Sequence, residues 1–496
     1  MVFNSFAFLL FFPIVLLLYR ILPITPRMVM LLIASYIFYL SWQPDLIYLI
    51  MFTTVVSYTS ARLIDGKFKD NKGKQKVCLT IAIIACLSTL FFFKYFNFVS
   101  ENVVNLLNLF GLGVPDFSLN LILPVGISFY TFQTLSYVID VYRGGVKSEK
   151  NFFYYALYVT FFPQLVAGPI ERPENLLPAL RKKNPFNAND TIIGLKFMMV
   201  GFFKKIAVAD QISPFVNAVY NNADSIDGDL VNGFTVLLAT LLFAVQIYCD
   251  FSGYTDIAIG CSRIMGIRLM QNFNDPYSAT TIKDFWRRWH ISLSSWFTDY
   301  VYIPLGGSRC SKARHLTNLM IVFLVSGIWH GAAWTYILWG VMHGFYQIIG
   351  NVTAKPRSNL IAKLGFNEKG PLVQGVRRVI TFALVCLAWM AFRANSLHDL
   401  GVLYQSLFTE WGNISINASM DAIGMNLIAV ATTILSVILI KQMDIQINTK
   451  PDKDTSTEIF NPTRAGAYIC VCWTVAVAWL ILLASNVESS FIYFQF

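Results

Sequence analysis

The sequence predicts an all-α polytopic integral membrane protein. Hydrophobic residues make up 56% of the 496 residues and charged residues only 13%, with a mean hydropathy of +0.55. Soluble domains carry about 25% charged residues. Apolar stretches long enough to cross a hydrocarbon core of about 30 Å recur along the chain, separated by short basic loops. A chain with this composition is expected to fold in a bilayer.

The excess of positive charge falls in the loops between the apolar stretches. The net charge is +10, but the Lys and Arg residues form no nucleic-acid-binding motif, and we interpret them as the basic excess of cytoplasmic loops. Membrane lipids, and no nucleic acid, are therefore the expected surroundings. The eight cysteines include no CxxC pair, so neither a metal site nor a disulfide framework is predicted.

Nine apolar stretches are predicted to cross the membrane as helices, given some tilt. The first basic residue is Arg20. A cleaved signal peptide would begin with a basic region, so the first stretch is interpreted as an uncleaved helix. The predicted spans are about 3–19, 28–42, 46–61, 77–97, 121–141, 231–250, 379–395, 425–441 and 466–485.

Basic residues in the short loops predict the orientation of these helices. The loop 62–76 is rich in Lys and Arg and is predicted to be cytoplasmic, whereas 396–424 has neither and is predicted to lie outside. Counting helices in both directions places the N- and C-termini outside the cytoplasm. The run 191–210 does not fit this scheme, because Lys204 and Lys205 lie inside an apolar segment. An interfacial or broken helix is expected there.

Two further apolar stretches have basic residues on both flanks, which a single crossing does not explain. For 152–170 a re-entrant segment is predicted, with Pro163 and Gly168 as places where a helix breaks. The stretch 316–350 would be about 52 Å long as one straight helix, which is too long for one crossing. A bent hairpin is predicted instead, with its vertex near 329–331 at membrane depth.

His330 is the strongest candidate for chemistry. Ionisable residues inside a membrane are costly and are functional suspects by default, and histidine suits general-base work near neutral pH. On a helix, Ser326, His330 and Trp334 would share one face. The alternative is a histidine that is hydrogen-bonded within the protein core.

A second candidate is the tryptophan-rich run 286–296. Read as one helix, it carries Arg287, His290 and Ser294 on one face and tryptophans on another. Such a helix would lie at the cytoplasmic interface, where arginine can contact the phosphates of a donor molecule. The alternative is that the helix only anchors the protein at the membrane surface.

A third candidate lies at the cytoplasmic end of the predicted span 231–250. Asp250 and Tyr254 are spaced to share a helix face, and Asp250 could pair with the region of Arg287 or orient a histidine. A purely structural ion pair is the simpler interpretation. His343 is interpreted as a packing residue. The sequence contains no phosphate-binding loop and no nucleophile-elbow motif.

Five runs of the sequence form a recognisable set. The run 273–290 carries Asn274, Arg287, Arg288 and His290, and the others are 162–169, 248–254, 302–307 and 329–331. Together they resemble the membrane-bound O-acyltransferase family, and most closely its bacterial branch that O-acetylates alginate and peptidoglycan. The similarity covers roughly residues 1–395, and the two helices that follow are usual for longer members.

The resemblance implies a ring of tilted transmembrane helices, with re-entrant segments, around a central tunnel that joins the two membrane faces. His330 matches the family's catalytic histidine, and His290 matches a second histidine nearer the cytoplasm. Together with the candidates reached from the residues, the assignment to the tunnel or to donor binding comprises Asn274, Arg287, Arg288, Asp250, Tyr254, Ser326 and Trp334.

The reaction implied is transfer of acetyl from a cytoplasmic donor, acetyl-CoA, towards an extracytoplasmic cell-envelope polysaccharide. The protein would lie in a bacterial cytoplasmic membrane, hold no bound cofactor, and pass the acetyl group to an extracytoplasmic SGNH-type partner enzyme. The expected organisation is a transmembrane core at 1–395, two closing helices with their loops at 396–485, and an extracytoplasmic tail at 486–496.

The final run, 491–496, resembles the terminal motif of the small membrane partner in teichoic acid D-alanylation. Tyr493 would then be a nucleophile that carries the acyl group, although an aromatic tail resting in the interface is the alternative.

Other functions also stay open. They are D-alanyl transfer from a carrier protein, lipid or polymer transport, which intramembrane His and Asp on broken helices would suit, and a scaffold for a polysaccharide complex.

Overall fold

The computed structural model describes residues 1–448 except 43, 120, 183, 226 and 413. These residues form helices and loops, and none of them lies in a β-strand. The predicted all-α fold is therefore confirmed. The last predicted span, 466–485, and Tyr493 lie outside the described residues, and the predicted domain boundaries at 395 and 485 stay predictions.

The chain divides into two compact units. The first comprises Met1–Met198 with Tyr254–Met270, and the second comprises Met199–Gly253 with, among the described residues, 271–448. The helices of the first unit are α1 (Phe6–Ile21), α2 (Ile24–Leu40), α3 (Ile47–Asp65), α4 (Lys72–Leu90), α5 (Phe96–Leu109), α6 (Ile127–Arg143), α7 (Phe152–Thr160), α8 (Phe162–Leu165) and α9 (Pro173–Arg181).

Two helices contribute residues to both units: α10 (Ala188–Phe202) and α12 (Gly233–Ile264). The helices of the second unit are α11 (Asp210–Tyr220), α13 (Ile282–Arg288), α14 (Ile291–Phe297), α15 (Lys312–His330), α16 (Trp334–Val352), α17 (Ala354–Lys363), α18 (Pro371–Arg393), α19 (Leu397–Thr409), α20 (Ile416–Ala422) and α21 (Leu427–Asn448).

Four helical runs among the described residues are long and apolar enough to cross a membrane, and two shorter helices are apolar. They correspond to six of the predicted spans. Two helical runs extend well past the predicted spans. The run that contains 77–97 has 38 residues, and the run that begins at Gly233 has 32 residues and continues beyond 250. The long runs are Pro44–Asp65, Lys72–Leu109, Gly233–Ile264 and Pro371–Arg393; the shorter helices are Phe6–Ile21 and Ile24–Leu40.

In the first unit, α3, α4 and α6 pack against one another, and α7 packs on α2 and α3. The segment 152–170 is broken as predicted: α7 ends at Thr160, and α8 begins at Phe162 with Pro163 in its first turn. Gly168 is required where the chain turns after α8, because a Cβ there would lie 2.4 Å from the Cα of Gln164. Pro163 and Gly168 therefore account for the break in this segment.

In the second unit, α15 and α16 form the predicted hairpin, with Gly331–Ala333 as its vertex. The two helices touch through glycines. A Cβ on Gly340 would lie 2.4 Å from the carbonyl oxygen of Phe323, and one on Gly327 would lie 2.5 Å from that of Tyr336. Small residues allow this close approach of helix backbones, which is common in membrane proteins.

The segment 191–210 is helical throughout, so the helix is not broken there. After α10, a π-helical stretch, Phe203–Ala209, leads directly into α11. Lys204 and Lys205 are both buried in this stretch. Their charges are paired inside the protein, which explains why an apolar segment carries two lysines.

Candidate active site

His330 is the last residue of α15 and lies at the vertex of the hairpin. Its side chain is buried, and aromatic rings enclose it. The ring centroids of Trp329 and Trp339 each lie 4.8 Å from that of His330, and the centroid of Phe392, on α18, lies 5.3 Å away. Gly331 follows in extended conformation, and a Cβ there would collide with the ring of Tyr336 at 2.1 Å. The sequence His-Gly therefore ends the helix at the histidine.

His290 lies between two short helices, α13 and α14, and not within one. The prediction of a single amphipathic helix over 286–296 was wrong. The chain breaks at His290, whose φ of 45° places a non-glycine residue in the left-handed region, a conformation that the surrounding structure must stabilise. His290, Trp289 and Trp286 are buried, so this segment belongs to the protein interior.

Asn272 holds His290, and sequence reasoning missed it. The side-chain oxygen Oδ1 of Asn272 accepts hydrogen bonds from the backbone N–H and the hydroxyl of Ser292, at 3.1 and 2.9 Å. The same oxygen lies 3.2 Å from Nδ1 of His290. An amide oxygen only accepts, so Nδ1 of His290 is the donor and Nε2 carries the lone pair. The contact leaves Nε2 as the basic nitrogen of this ring.

Trp329 contacts both histidines. Its ring centroid lies 6.2 Å from that of His290 and 4.8 Å from that of His330. The ring centroid of Phe251, on α12, lies 4.7 Å from that of His290. Two buried imidazoles thus flank one indole in an apolar surrounding, where little water competes for proton transfer or hydrogen bonding.

A third histidine, His343, contacts Trp339, whose ring also packs against His330. Its centroid is 5.0 Å from that of Trp339, and its Nδ1 accepts a hydrogen bond of 3.2 Å from the indole N–H of Trp286. The interpretation of His343 as a packing residue agrees with its complete burial. The bond also ties α16 to α13, and so supports the segment that carries His290.

Asp250 is a buried ion-pair residue. Its Oδ1 lies 2.8 Å from Nζ of Lys205, which is also 2.9 Å from Oδ1 of Asp210. The predicted pairing with the region of Arg287 is replaced by this one, and the structural interpretation of Asp250 agrees with the geometry. A neighbouring pair joins Lys204 to Asp444 at 2.6 Å and so connects α21 to the π-helical stretch.

The remaining predicted residues differ in their surroundings. Asn274 and Arg287 are exposed, and Arg288 pairs with Asp284 at 3.1 Å on the same helix. Ser326 is buried one turn before His330, but Trp334 is 52% exposed at the start of α16. Ser326 and His330 lie one turn apart on α15 as predicted, but Trp334 does not continue their face, because the helix ends at His330. Tyr254 belongs to the first unit, where its ring lies 4.5 Å from that of Phe3.

Comparison with known proteins adds to this geometry. Residues 145–392 match the model of the membrane-bound O-acyltransferase family. The protein of Azotobacter vinelandii named "Probable alginate O-acetylase AlgI" is 34% identical over the whole of both chains. The chain belongs to the membrane-bound O-acyltransferase family. The resemblance inferred from the sequence is thereby confirmed.

Two other relatives of this acyltransferase carry different names. The peptidoglycan O-acetyltransferase of Helicobacter pylori is 35% identical, over 76% of this chain and 72% of its own length. The teichoic acid D-alanyltransferase of Bacillus subtilis is 30% identical, over 56% of this chain and 71% of its own length. The chain is therefore a multi-pass membrane acyltransferase.

Proposed function

We propose that this acyltransferase moves an acetyl group from cytoplasmic acetyl-CoA through the membrane for O-acetylation of an extracytoplasmic polysaccharide. The observation that carries the proposal is the burial of His330 at the vertex of the α15–α16 hairpin, beside Trp329 and within the segment that matches the family. A base in a desolvated aromatic pocket at a helix break is suited to activating a hydroxyl.

In the proposed step, His330 accepts the proton of an acceptor hydroxyl as the oxygen attacks the thioester carbonyl. The new C–O bond forms, the C–S bond breaks, and the proton passes from His330 to the departing thiolate, so that free CoA thiol leaves. His290, whose Nε2 accepts, would hold the hydroxyl or the donor in position through a hydrogen bond. No metal or bound cofactor enters this step.

We assign the first acceptor hydroxyl to Tyr493, which lies outside the described residues. A phenol with a pKa of about 10 is a better leaving group than an aliphatic alcohol, so an acetyl-tyrosine stays activated for a second transfer. An extracytoplasmic SGNH-type partner would then pass the acetyl group to the polymer. This relay requires the C-terminal tail to lie on the extracytoplasmic side of the membrane.

Acetyl transfer is favoured over D-alanyl transfer by the extent of similarity. The relative named as an alginate O-acetylase aligns over this whole chain, and the teichoic acid D-alanyltransferase over 56% of it. Transport without chemistry is disfavoured by membership in an acyltransferase family.

The test uses the full chain, purified in detergent and supplied with acetyl-CoA labelled in the acetyl group. Label should appear on the protein, and His330→Ala should lower the rate by about 10²–10⁴. The matched control is His398→Ala, since His398 is an exposed histidine whose side chain is 75% accessible. Labelling from a D-alanyl carrier protein, and none from acetyl-CoA, would establish the alternative donor.

The position of the label tests the relay separately. Mass spectrometry of the C-terminal peptide should find the added acetyl on Tyr493, and Tyr493→Phe should abolish it while the protein remains folded. Normal polymer acetylation by Tyr493→Phe would exclude the relay without excluding acyl transfer.

A further inference from the structure

The short helix α17 lies at the surface of the second unit. It packs against the end of α16, and all ten of its residues are exposed or half-buried against the described part of the chain. A helix this short is only marginally stable when water alone surrounds it. The surroundings of α17 must therefore contribute to its stability.

Large apolar side chains are exposed at the end of α17. Leu360 and Leu364 lie one turn apart and are 56% and 61% exposed. Gly365 follows with a φ of 75°, and the backbone N–H of Phe366 donates to the oxygen of Ile361 at 3.1 Å. This helix ending turns the chain back beside the last turn, and Phe366 is itself 50% exposed. Water is a poor neighbour for three such side chains.

Two basic residues flank the leucines, and a third lies on the opposite face. With about 100° of rotation per residue, Arg357 lies about 20–60° from the two leucines and Lys363 about 60–100° from them. Lys355 lies about 140–180° away. All three side chains are exposed, and Nη2 of Arg357 donates to the backbone oxygen of Gly350 at 3.0 Å. That bond fixes the guanidinium at the junction of α16 and α17.

Both ends of α17 connect to helices that enter the membrane. Thr353 separates it from α16, the second helix of the hairpin. After α17, the chain reaches α18 at Pro371, and α18 is long and apolar enough to cross a membrane. Glu368 joins the two helices, because its carboxylate accepts hydrogen bonds from Ser358 at 2.9 Å and from Arg377 at 2.5 Å. These connections hold α17 at the level where α18 begins.

The segment 353–378 is strongly basic. It contains six Lys and Arg residues and one acidic residue, Glu368. This excess predicts the cytoplasmic side of the membrane, where anionic lipids attract lysine and arginine. An acidic soluble protein would match the charge as well. Exposed leucines beside the start of a membrane helix favour the lipid, because a helix of this kind places its apolar face among the acyl chains.

We propose that α17 is a binding surface for anionic phospholipid of the membrane that holds the protein. Leu360 and Leu364 lie among the upper acyl chains, and Arg357 and Lys363 bind the phosphate of the headgroup. Zwitterionic lipids carry their own cation, so the surface selects anionic headgroups. This binding is separate from acyl transfer, and its test requires no activity.

The experiment uses the full chain with a single cysteine, Leu364→Cys, in a cysteine-free background. The cysteine carries an environment-sensitive fluorophore, and the protein is placed in phosphatidylcholine nanodiscs. A small fraction of the lipid has a spin label on its acyl chain and is either phosphatidylglycerol or phosphatidylcholine. Labelled phosphatidylglycerol should quench the fluorophore about threefold or more strongly than labelled phosphatidylcholine. Ala362→Cys, exposed on the opposite face, is the matched control and should be quenched little by either.

The charge variants locate the binding face. Lys363→Gln and Arg357→Gln should each lower the preference for phosphatidylglycerol about twofold or more, whereas Arg357→Lys keeps the charge and should retain most of it. Lys355→Gln removes an equal charge from the opposite face and should leave the preference unchanged.

Three results would overturn the proposal. Equal quenching of the fluorophore at Leu364→Cys by the two lipids would show that the surface does not select anionic lipid. No quenching by either would show that water or another part of the chain covers α17. Equal effects of Lys363→Gln and Lys355→Gln would show a diffuse attraction of the whole segment to the membrane.

Discussion

Nδ1 of His290 lies 3.2 Å from Oδ1 of Asn272, and this contact determines which nitrogen of the imidazole can accept a proton. The amide oxygen is itself oriented by two bonds from Ser292. Asn272 is therefore a positioning residue that acts through His290, and it is completely buried.

Asn272→Leu removes the acceptor while keeping a side chain of similar size. The tautomer of His290 is then no longer fixed, so kcat for acetyl transfer should fall about 10–100-fold, with little change in KM for the donor. Asn272→Asp keeps the acceptor oxygens and should retain more activity than the Leu variant. Steady-state kinetics of the purified variants measure kcat and KM and so test whether Asn272 acts through His290. A change in KM alone would mean that Asn272 serves donor binding instead.

Lys205 pairs with two buried carboxylates, those of Asp210 and Asp250. Lys205→Met leaves both without this partner and should destabilise the protein by about 3–5 kcal/mol. Asp250→Asn should cost less, because Asp210 still pairs with the lysine. Thermal unfolding in detergent measures both. Lys369→Met, at an exposed lysine, serves as the control. Equal melting temperatures for Lys205→Met and the control would show that the network contributes nothing to stability.

The contact of α15 with α16 depends on Gly340. Gly340→Ala places a methyl group 2.4 Å from a backbone oxygen that cannot rotate away, so the helices must separate and the surroundings of His330 must shift. The variant should lose stability by about 1–3 kcal/mol and should lose activity as well. Gly350→Ala, on the same helix, has open space around the new methyl group. It should be as stable as the wild type or slightly more so.

Glu171 should make stability depend on pH. Its pKa of about 7 in the folded protein lies above the usual 4.5, because burial disfavours the charged form. Its contribution to stability is therefore complete below about pH 4.5 and is lost as the pH rises through about 7. Glu171→Gln stays neutral, so the variant should gain stability relative to the wild type between pH 5 and 8, by about 3 kcal/mol.

Melting temperatures across this pH range provide the measurement for Glu171. Glu174→Gln changes an exposed carboxyl in the same segment. Its melting temperature should change with pH in the same way as that of the wild type. Parallel curves for Glu171→Gln would show that Glu171 is ionised in the folded protein throughout.

The orientation in the membrane is tested by single cysteines in a cysteine-free background. Lys74→Cys lies in the basic loop predicted to be cytoplasmic, and Gly412→Cys lies in the segment predicted to be outside; both positions are exposed. A membrane-impermeant maleimide should label the second in intact cells and the first only after permeabilisation. The opposite pattern would reverse the topology and contradict an extracytoplasmic tail.

The sequence was sufficient to predict the hairpin around His330, because basic residues on both flanks exclude a single crossing and His-Gly marks the vertex. It was insufficient to predict the break in the chain at His290. A left-handed conformation at a histidine has no local signature, and regular spacing of tryptophans looks the same whether they face lipid or a core. Lys205 was visible as an anomaly, but its partners Asp210 and Asp250 became apparent only once α11 and α12 were placed in space.

Asn272 is a second residue whose role could not be predicted from the sequence. The motif drew attention to Asn274, two residues away, which is exposed. Which of two nearby asparagines turns inward depends on the path of the loop between α12 and α13. Residue type alone does not determine that path.

The short vertex between α15 and α16 has a consequence for biogenesis. Only three residues, Gly331–Ala333, join the helices, so their contacts are local in sequence and little chain entropy is lost in forming them. We expect the pair to associate while the ribosome is still translating the rest of the chain. Phe392, which packs on the imidazole of His330, is synthesised 62 residues after it, so the aromatic pocket around the histidine is completed only when α18 arrives.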